Sequence, residues 1–162
     1  MNFFLIWNTE VRSKAITTVA WDGRQLVSDS MSVGYFVREV QKIFDTGHMV
    51  YAVSGDYAKA LSAVNRLKIN EDVSVEEMDD VSILAVDKKT KECFFYDSHP
   101  RPNKVEPPFA MGSGALPAMA IMLHHIDIDD GCLLNMSATE AVDMASRLDP
   151  YTGGKLQIET IE

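Results

Sequence analysis

The sequence predicts a single α+β domain, and three observations lead to this class. Short runs of strand-forming residues flank Asp22-Gly23, a dipeptide that favours the positive φ angles of a tight hairpin turn. A second pair of such runs, at 81–86 and 92–96, surrounds a turn and indicates another hairpin. Apolar residues recur at helical spacing from 57 to 67 and again in the segment that follows Ser137. Hairpins and separate helices together indicate a mixed domain.

Length, charge and cysteine content narrow the class of protein. A chain of 162 residues is long enough for one domain that buries roughly 70% of its unfolded surface. The net charge of −9, with scattered basic residues, argues against nucleic-acid binding. Two cysteines, Cys93 and Cys132, suggest no disulfide framework, which fits a reducing compartment. No apolar run reaches the ~18–20 residues of a membrane span, so we expect a cytoplasmic protein without membrane contact.

The remaining elements follow from local patterns. The sequence predicts further strand from 31 to 44, a buried strand from 49 to 53 that ends at Ser54-Gly55-Asp56, a helix from 115 to 125 and a last strand from 155 to 161. Ser137 and Glu140 have the spacing of a capping box, which predicts a helix start there. His124 and His125 are adjacent and would point in different directions on a helix, so we expect no metal site and no cofactor.

Three residue types near the first hairpin carry the chemistry. The hairpin begins on Thr17-Thr18 and ends on Asp29-Ser30, and Lys42 follows before the next apolar pair. A threonine hydroxyl is a weak nucleophile, but an N-terminal threonine has its own base, because its α-amine has a pKa of ~7.7–8.0. By pattern, this stretch resembles the start of a proteasome β-subunit or of its bacterial relative HslV, in which some short members begin directly with Met-Thr-Thr.

The resemblance implies a role for each residue of a larger set. Thr17 would be the nucleophile, and Asp29 would hold Lys42 in its charged form. The N–H of Gly55, at a strand–glycine–helix junction, would form the oxyanion hole. The remaining members lie in the Gly112-Ser113-Gly114 turn and in an Asp-x-Tyr-Thr-Gly-Gly motif near the C-terminus, and the resemblance places them beside the nucleophile: Ser113, Asp149 and Thr152.

The resemblance also implies a fold and a domain division. It covers roughly Thr17 to the C-terminus and implies the four-layer αββα sandwich of the N-terminal nucleophile (Ntn) hydrolases. Residues 17–162 would form the hydrolase domain, and residues 1–16 would be an N-terminal extension or propeptide that blocks the α-amine of Thr17. Counting without gaps from the turn glycine of many proteasome subunits points instead to Ser13, which is the alternative nucleophile.

The function implied is a threonine-type peptidase that assembles into a homo-oligomeric ring. Its substrate would be a peptide or protein, and the resemblance also admits an ATP-dependent unfoldase as a partner. Two alternatives stay open: a non-catalytic proteasome-like subunit or interaction protein in which Thr17 is never exposed, and an Ntn amidohydrolase of a small molecule. Small and adaptable side chains of the helix from 115 to 125 offer a contact surface for assembly: Ala118, Met119, Ala120 and Met122.

Overall fold

A computed structural model describes residues 14–15, 17–33, 36–128 and 132–162 and places strands and helices in them. The strands are β1 (Lys14–Ala15), β2 (Thr18–Trp21), β3 (Gln25–Ser28), β4 (Met31–Val33), β5 (Val37–Glu39), β6 (Ile43–Asp45), β7 (Met49–Asp56), β8 (Val81–Asp87), β9 (Cys93–Asp97), β10 (Asn103–Val105), β11 (Phe109–Gly112), β12 (His125–Ile128), β13 (Cys132–Asn135) and β14 (Gln157–Thr160). The helices are α1 (Tyr57–Lys68), α2 (Val75–Met78), α3 (Ala115–Leu123) and α4 (Ala138–Leu148).

Two sheets make up most of the strand structure. The larger sheet has six strands. Five of them follow the order β1-β7-β8-β9-β10, and the sixth, β6, pairs with another part of β7 on the same edge as β1. The smaller, four-stranded sheet has the order β11-β2-β3-β14. The first predicted hairpin therefore forms the centre of the smaller sheet, and the second lies in the larger one. The prediction of a mixed α and β fold is confirmed.

One apolar cluster lies between the two sheets. It joins Val19 and Trp21 of β2 to Val50 of β7 and Leu84 of β8, all of them without solvent exposure. Successive side chains of a strand point to opposite faces, so Ala20, between Val19 and Trp21, leaves this cluster and joins another one. Strand β2 is consequently buried on both faces.

Two further clusters contain the helices. In one, helices α1 and α2 pack against Val53 of β7 and Ile83 of β8 in the larger sheet. In the other, helices α3 and α4 pack against Ala20 of β2 and Val27 of β3 in the smaller sheet. Helices α1 and α2 thus cover the larger sheet, and helices α3 and α4 cover the smaller one. None of the helices among the described residues is long and apolar enough to cross a membrane.

The turn of the first hairpin is displaced by one residue from its predicted centre. The N–H of Asp22 donates to Gln25 O at 3.3 Å, so Gly23 and Arg24 occupy the central positions, and Gly23 has a φ of 94°. The Asp22 carboxylate accepts from the backbone N–H groups of Arg24 at 2.8 Å and Gln25 at 2.7 Å. Asp22 therefore shapes the turn through its side chain while Gly23 provides the positive φ.

Several predicted boundaries were wrong. The single strand predicted from 31 to 44 is divided into β4, β5 and β6, and residues 40–42 have no regular structure. Helix α3 ends at Leu123 because His124 adopts an extended conformation, and His125 already belongs to β12. The last strand, β14, is shorter than the predicted 155–161, and within it Ile158 is 48% exposed while Gln157 and Glu159 are half-buried.

Candidate active site

Thr17, Asp29 and Lys42 meet at the end of the central hairpin. Thr17 directly precedes β2 and Asp29 directly follows β3, and the N–H of Asp29 donates to Thr18 O at 3.3 Å, which continues the antiparallel pairing. Lys42 lies immediately before β6. All three side chains are fully buried. The Thr17 hydroxyl donates to Asp29 Oδ1 and accepts from Lys42 Nζ, at 2.5 Å for the latter.

The Asp29 carboxylate is surrounded by donors. Its Oδ1 accepts from the N–H of Thr18 and from Lys42 Nζ, both at 3.0 Å, in addition to the Thr17 hydroxyl. Its Oδ2 accepts from the N–H groups of Gly153 at 3.0 Å and Met31 at 3.2 Å. Every one of these five contacts is a donor, and both carboxylate oxygens act as acceptors.

The Lys42 ammonium has three acceptors around it. Nζ donates to Thr17 Oγ1, to Asp29 Oδ1 and to the carbonyl of Met31, which matches the three N–H groups of a charged lysine. Burial lowers the pKa of Lys42 below its ordinary value of 10.5, and the Asp29 charge opposes that shift. The result is a desolvated cation in direct contact with the Thr17 hydroxyl.

A second group of hydroxyls and a carboxylate lies next to Thr18. Asp149 Oδ2 accepts from Ser113 Oγ at 2.5 Å and from Thr152 Oγ1 at 2.6 Å. Thr152 has only one hydroxyl proton and donates it to Asp149, so the Thr18 hydroxyl, 2.6 Å away, must be the donor to Thr152. The proton order is therefore Thr18 to Thr152 to Asp149.

The ionisation of Asp149 follows from the same contacts. Its partial burial disfavours the charged form, but hydrogen bonds from Ser113, Thr152 and the N–H of Tyr151 outweigh this effect and lower the pKa of Asp149 below 3.8. Asp149 is consequently an anion at neutral pH.

Backbone contacts connect the second group to Thr17. The N–H of Ser113 donates to Thr17 O at 2.8 Å. Gly112, with a φ of 96°, lies so close to this carbonyl that an added Cβ would be 1.9 Å from Thr17 O. Only glycine fits there, which gives the predicted Gly112-Ser113-Gly114 turn a physical reason.

In the Gly-Gly pair of the C-terminal motif, Gly154 is required by close approach, and Gly153 contributes a backbone donor. Gly153 donates its N–H to Asp29, as described above, and Gly154 has a φ of 78°. A Cβ on Gly154 would lie 2.5 Å from Ser30 Oγ. The motif thus carries Thr152 and Asp149 to one side of the threonines and supplies a backbone donor to Asp29 on the other.

Gly55 lies where the sequence predicts a strand–glycine–helix junction. It belongs to β7, has a φ of 96° and precedes Asp56, whose side chain caps α1 by accepting from two backbone N–H groups at 3.1 Å. The strand partners described for Gly55 are Ala15 in β1 and Val81 in β8. A contact between Gly55 and Thr17 is not among the described ones, and the oxyanion role of Gly55 stays a prediction.

The structure brings six of the seven predicted site residues into the two hydrogen-bonded groups, all except Gly55, and it adds three groups that sequence reasoning missed. The alternative nucleophile Ser13 lies outside the described residues. The missed groups are the Thr18 hydroxyl, which bonds to Thr152, the Gly153 N–H, which donates to Asp29, and the Gln157 carboxamide, which accepts from the backbone of Lys42. The doublet Thr17-Thr18 and the Gly-Gly pair were visible in the sequence, but nothing there connects Gln157 to Lys42.

Comparison with solved structures shows which known proteins have a fold similar to that of this chain. Eukaryotic HslV from Trypanosoma brucei matches with a TM-score of 0.63 at 18% identity, over 90% of this chain and 98% of HslV. The chain has the HslV fold. BPH from Thiobacillus denitrificans matches over the same shares of both chains, with a TM-score of 0.62 at 18% identity, and its complex with epoxomicin gives 0.63 at 17%.

Sequence comparison adds no relative to these structural matches. No protein-family model matches the chain, and no curated protein matches it. At 17–18% identity, the likeness to HslV and BPH establishes the fold, and the chemistry has to be argued from the side chains themselves.

Proposed function

We propose that this chain is a threonine-type peptidase whose nucleophile is the hydroxyl of Thr17. The observation that carries the proposal is the buried set of direct hydrogen bonds among Thr17, Asp29 and Lys42 at the start of β2. The HslV fold supports it, because the neighbours in this fold are HslV and BPH, the latter also seen with epoxomicin.

The proposed reaction begins at a free α-amine on Thr17. That amine accepts the hydroxyl proton as Oγ1 attacks the substrate carbonyl, and the Lys42 cation lowers the pKa of the amine by like-charge repulsion. The C–N bond breaks, the leaving amine takes the proton, and the acyl group stays on Thr17 Oγ1 as an ester that water hydrolyses. The Gly55 N–H is the proposed oxyanion donor, a contribution of typically ~3–4 kcal/mol. Ser113, Asp149 and Thr152 orient the amine and the water.

Removal of residues 1–16 is part of this proposal. Thr17 is fully buried and preceded by β1, whose Ala15 pairs with Gly55 of β7, so an attached extension both blocks the amine and occupies the edge next to the proposed oxyanion donor. We place the hydrolase domain at 17–162. The same burial favours one alternative, a non-catalytic subunit in which Thr17 is never exposed.

We further propose a four-layer αββα arrangement and self-assembly into a ring. The three apolar clusters support the layers, since one lies between the sheets and each of the others joins helices to one sheet.

The predicted contact surface on α3 needs correction, because Ala118 and Met122 are buried in the chain's own core. Leu116, at 84% exposure, and Phe36, also at 84%, are better candidates for an interface. We keep an ATP-dependent unfoldase as a proposed partner that would deliver folded substrates to such a ring.

Substitution of Thr17 tests the nucleophile directly. We expect Thr17→Ala to abolish peptide amide hydrolysis while the fold survives, and Thr17→Ser to retain part of it. Thr139→Ala is the matched control, because Thr139 bonds to Gln25 at the start of α4 and should leave turnover unchanged. A peptide boronate or β-lactone should label Thr17 alone. Wild-type turnover in Thr17→Ala would remove Thr17 as the nucleophile.

Sedimentation tests the assembly. A mass several times that of one 18.0 kDa chain is expected at micromolar concentration and moderate salt. A strict monomer would remove the ring and favour an exposed site that acts on small-molecule amides.

A further inference from the structure

Lys42 is the one member of the buried hydrogen-bonded set that does not flank a strand of the central hairpin. Thr17 and Asp29 are fixed by the pairing of β2 with β3, whereas Lys42 ends a stretch, 40–42, that has no regular structure. Its carbonyl accepts from the N–H of Val53 in β7 at 3.1 Å, which holds one side of its peptide backbone. The position of its ammonium therefore depends on what holds the other side.

Two side chains hold that other side: the Tyr57 hydroxyl donates to Gln41 O at 2.7 Å, and the carboxamide of Gln157 bonds the N–H of Lys42 itself. Gln157 Oε1 accepts from the N–H of Lys42 at 2.7 Å and from the N–H of Ile43 at 3.1 Å, and its Nε2 donates to Val40 O at 2.6 Å. The opposite orientation of the amide would set NH₂ against two N–H groups and oxygen against a carbonyl, so the donors and acceptors fix this one. A single side chain of the smaller sheet thus bonds three backbone groups of the segment that carries Lys42.

The surroundings leave that segment room to move. Gln157, Val40 and Ile43 line a cavity of about 560 Å³, open to solvent and bordered also by Glu39 and Lys155. A close-packed segment would stay in place without the amide, but one beside such a cavity can shift. Because the Lys42 side chain runs from this backbone into the site, a shift of the backbone displaces Nζ from Thr17 Oγ1.

We propose that Gln157 is a positioning residue that sets the place of the Lys42 ammonium relative to the Thr17 hydroxyl. Gln157 does not touch the reacting atoms; it acts through the peptide units at 40–43. The catalytic consequence rests on the proposed peptidase function. The placement of Lys42 does not, since it concerns the folded chain whether or not Thr17 reacts.

Two variants and one control separate positioning from general support of the fold. Gln157→Leu removes all three hydrogen bonds at similar volume. Gln157→Glu keeps an acceptor for the two N–H groups but sets an oxygen against Val40 O. Glu159→Gln changes the next inward-facing residue of β14, whose partner is Lys88 at 3.3 Å on the surface, and should behave as wild type.

The first measurement is the rate of peptide hydrolysis by each variant. We expect Gln157→Leu to lower kcat for a peptide amide by about 10²-fold with KM unchanged, because a displacement of about 1 Å in a catalytic group has that effect. Gln157→Glu should lower kcat by less. Thermal unfolding of the same samples shows whether the variants fold, and if Gln157→Leu does not, Gln157→Glu decides.

The second readout does not need turnover. The ¹³Cε resonance of Lys42, assigned with Lys42→Arg, gives the pKa of Lys42 by titration. We expect this pKa to move toward 10.5 in Gln157→Leu as water enters, and to stay at the wild-type value in Glu159→Gln. A wild type that never hydrolyses peptides, with the Lys42 titration still shifted in Gln157→Leu, would reject the peptidase and keep the positioning role. A folded variant with both kcat and the Lys42 titration unchanged would overturn the positioning role.

Discussion

Two carboxylates flank the threonine pair, and their surroundings differ. Asp29 is fully buried and accepts from three backbone N–H groups, from the Thr17 hydroxyl and from the Lys42 ammonium. Asp149 is only partly buried and accepts chiefly from the hydroxyls of Ser113 and Thr152. Four of the five donors to Asp29 cannot become acceptors, whereas the two hydroxyl partners of Asp149 can rotate.

This difference indicates which part of the site is rigid. A backbone N–H cannot be redirected without moving the chain, so the surroundings of Asp29 demand an anion at one place. A hydroxyl can donate or accept, so the group around Asp149 can adjust to a neutral side chain. We infer that the Asp29 side fixes the reacting atoms and that the Asp149 side supports them.

The largest expected effect comes from Asp29→Asn. In either orientation the new NH₂ group faces N–H donors, and Lys42 loses its counter-charge while buried. We expect a loss of about 3–5 kcal/mol in the free energy of unfolding, measured by urea denaturation, and a loss of hydrolysis of about 10²-fold or more. Asp45→Asn, at a half-exposed ion pair with Lys88, should cost about 1 kcal/mol or less. Equal losses in these two variants would contradict the account of Asp29.

A smaller effect is expected from Asp149→Asn. The amide oxygen can still accept from Ser113 and Thr152, and the NH₂ group meets only the exposed N–H of Tyr151 at 3.2 Å. We expect a loss of about 1 kcal/mol or less in unfolding free energy, with hydrolysis reduced by about tenfold.

The Asp149 contribution should also depend on pH. Because its pKa in the folded chain lies below 3.8, the charged form stabilises the fold at neutral pH, and this stabilisation is lost as the pH falls below 3.8. The stability difference between wild type and Asp149→Asn should therefore shrink in acid. A difference that grows in acid would have the wrong sign.

The smallest effect on hydrolysis is expected from Thr18→Val. This substitution keeps the shape of the buried side chain and removes its hydrogen bond to Thr152, while Thr152 still donates to Asp149. We expect a loss of about 1 kcal/mol in unfolding free energy. Since hydrolysis should fall less than in Asp149→Asn, a larger loss of activity would show that Thr18 does more than join the two groups.

Much of the fold could be predicted because the signals are local. Short runs of strand-forming residues around a turn dipeptide identified the first hairpin, and the capping box predicted at Ser137 is present at the start of α4. The boundaries failed where tertiary contacts override the pattern. Residues 40–42 look strand-forming, but no single neighbouring strand pairs with them. Their backbone groups bond instead to the side chains of Gln157 and Tyr57, to Ser30 O and to the N–H of Val53 in β7.

The site could be predicted where a family pattern carries it. Thr17, Asp29 and Lys42 came from that pattern, and the structure brings them into hydrogen-bond contact. Contacts such as that between Gln157 and Lys42 join residues far apart in the chain and follow no spacing rule. The sequence alone therefore contains the residues of such a contact but not their pairing.

The identity of the first residue in active protein tests the central claim most directly. The account holds that hydrolysis needs the α-amine of Thr17, which an attached residue 16 would convert into an amide without basicity. Intact mass and N-terminal sequencing of a preparation with measured turnover should therefore show a chain that begins at Thr17. An active chain that still carries Met1, or one that begins at Ser13, would contradict the account.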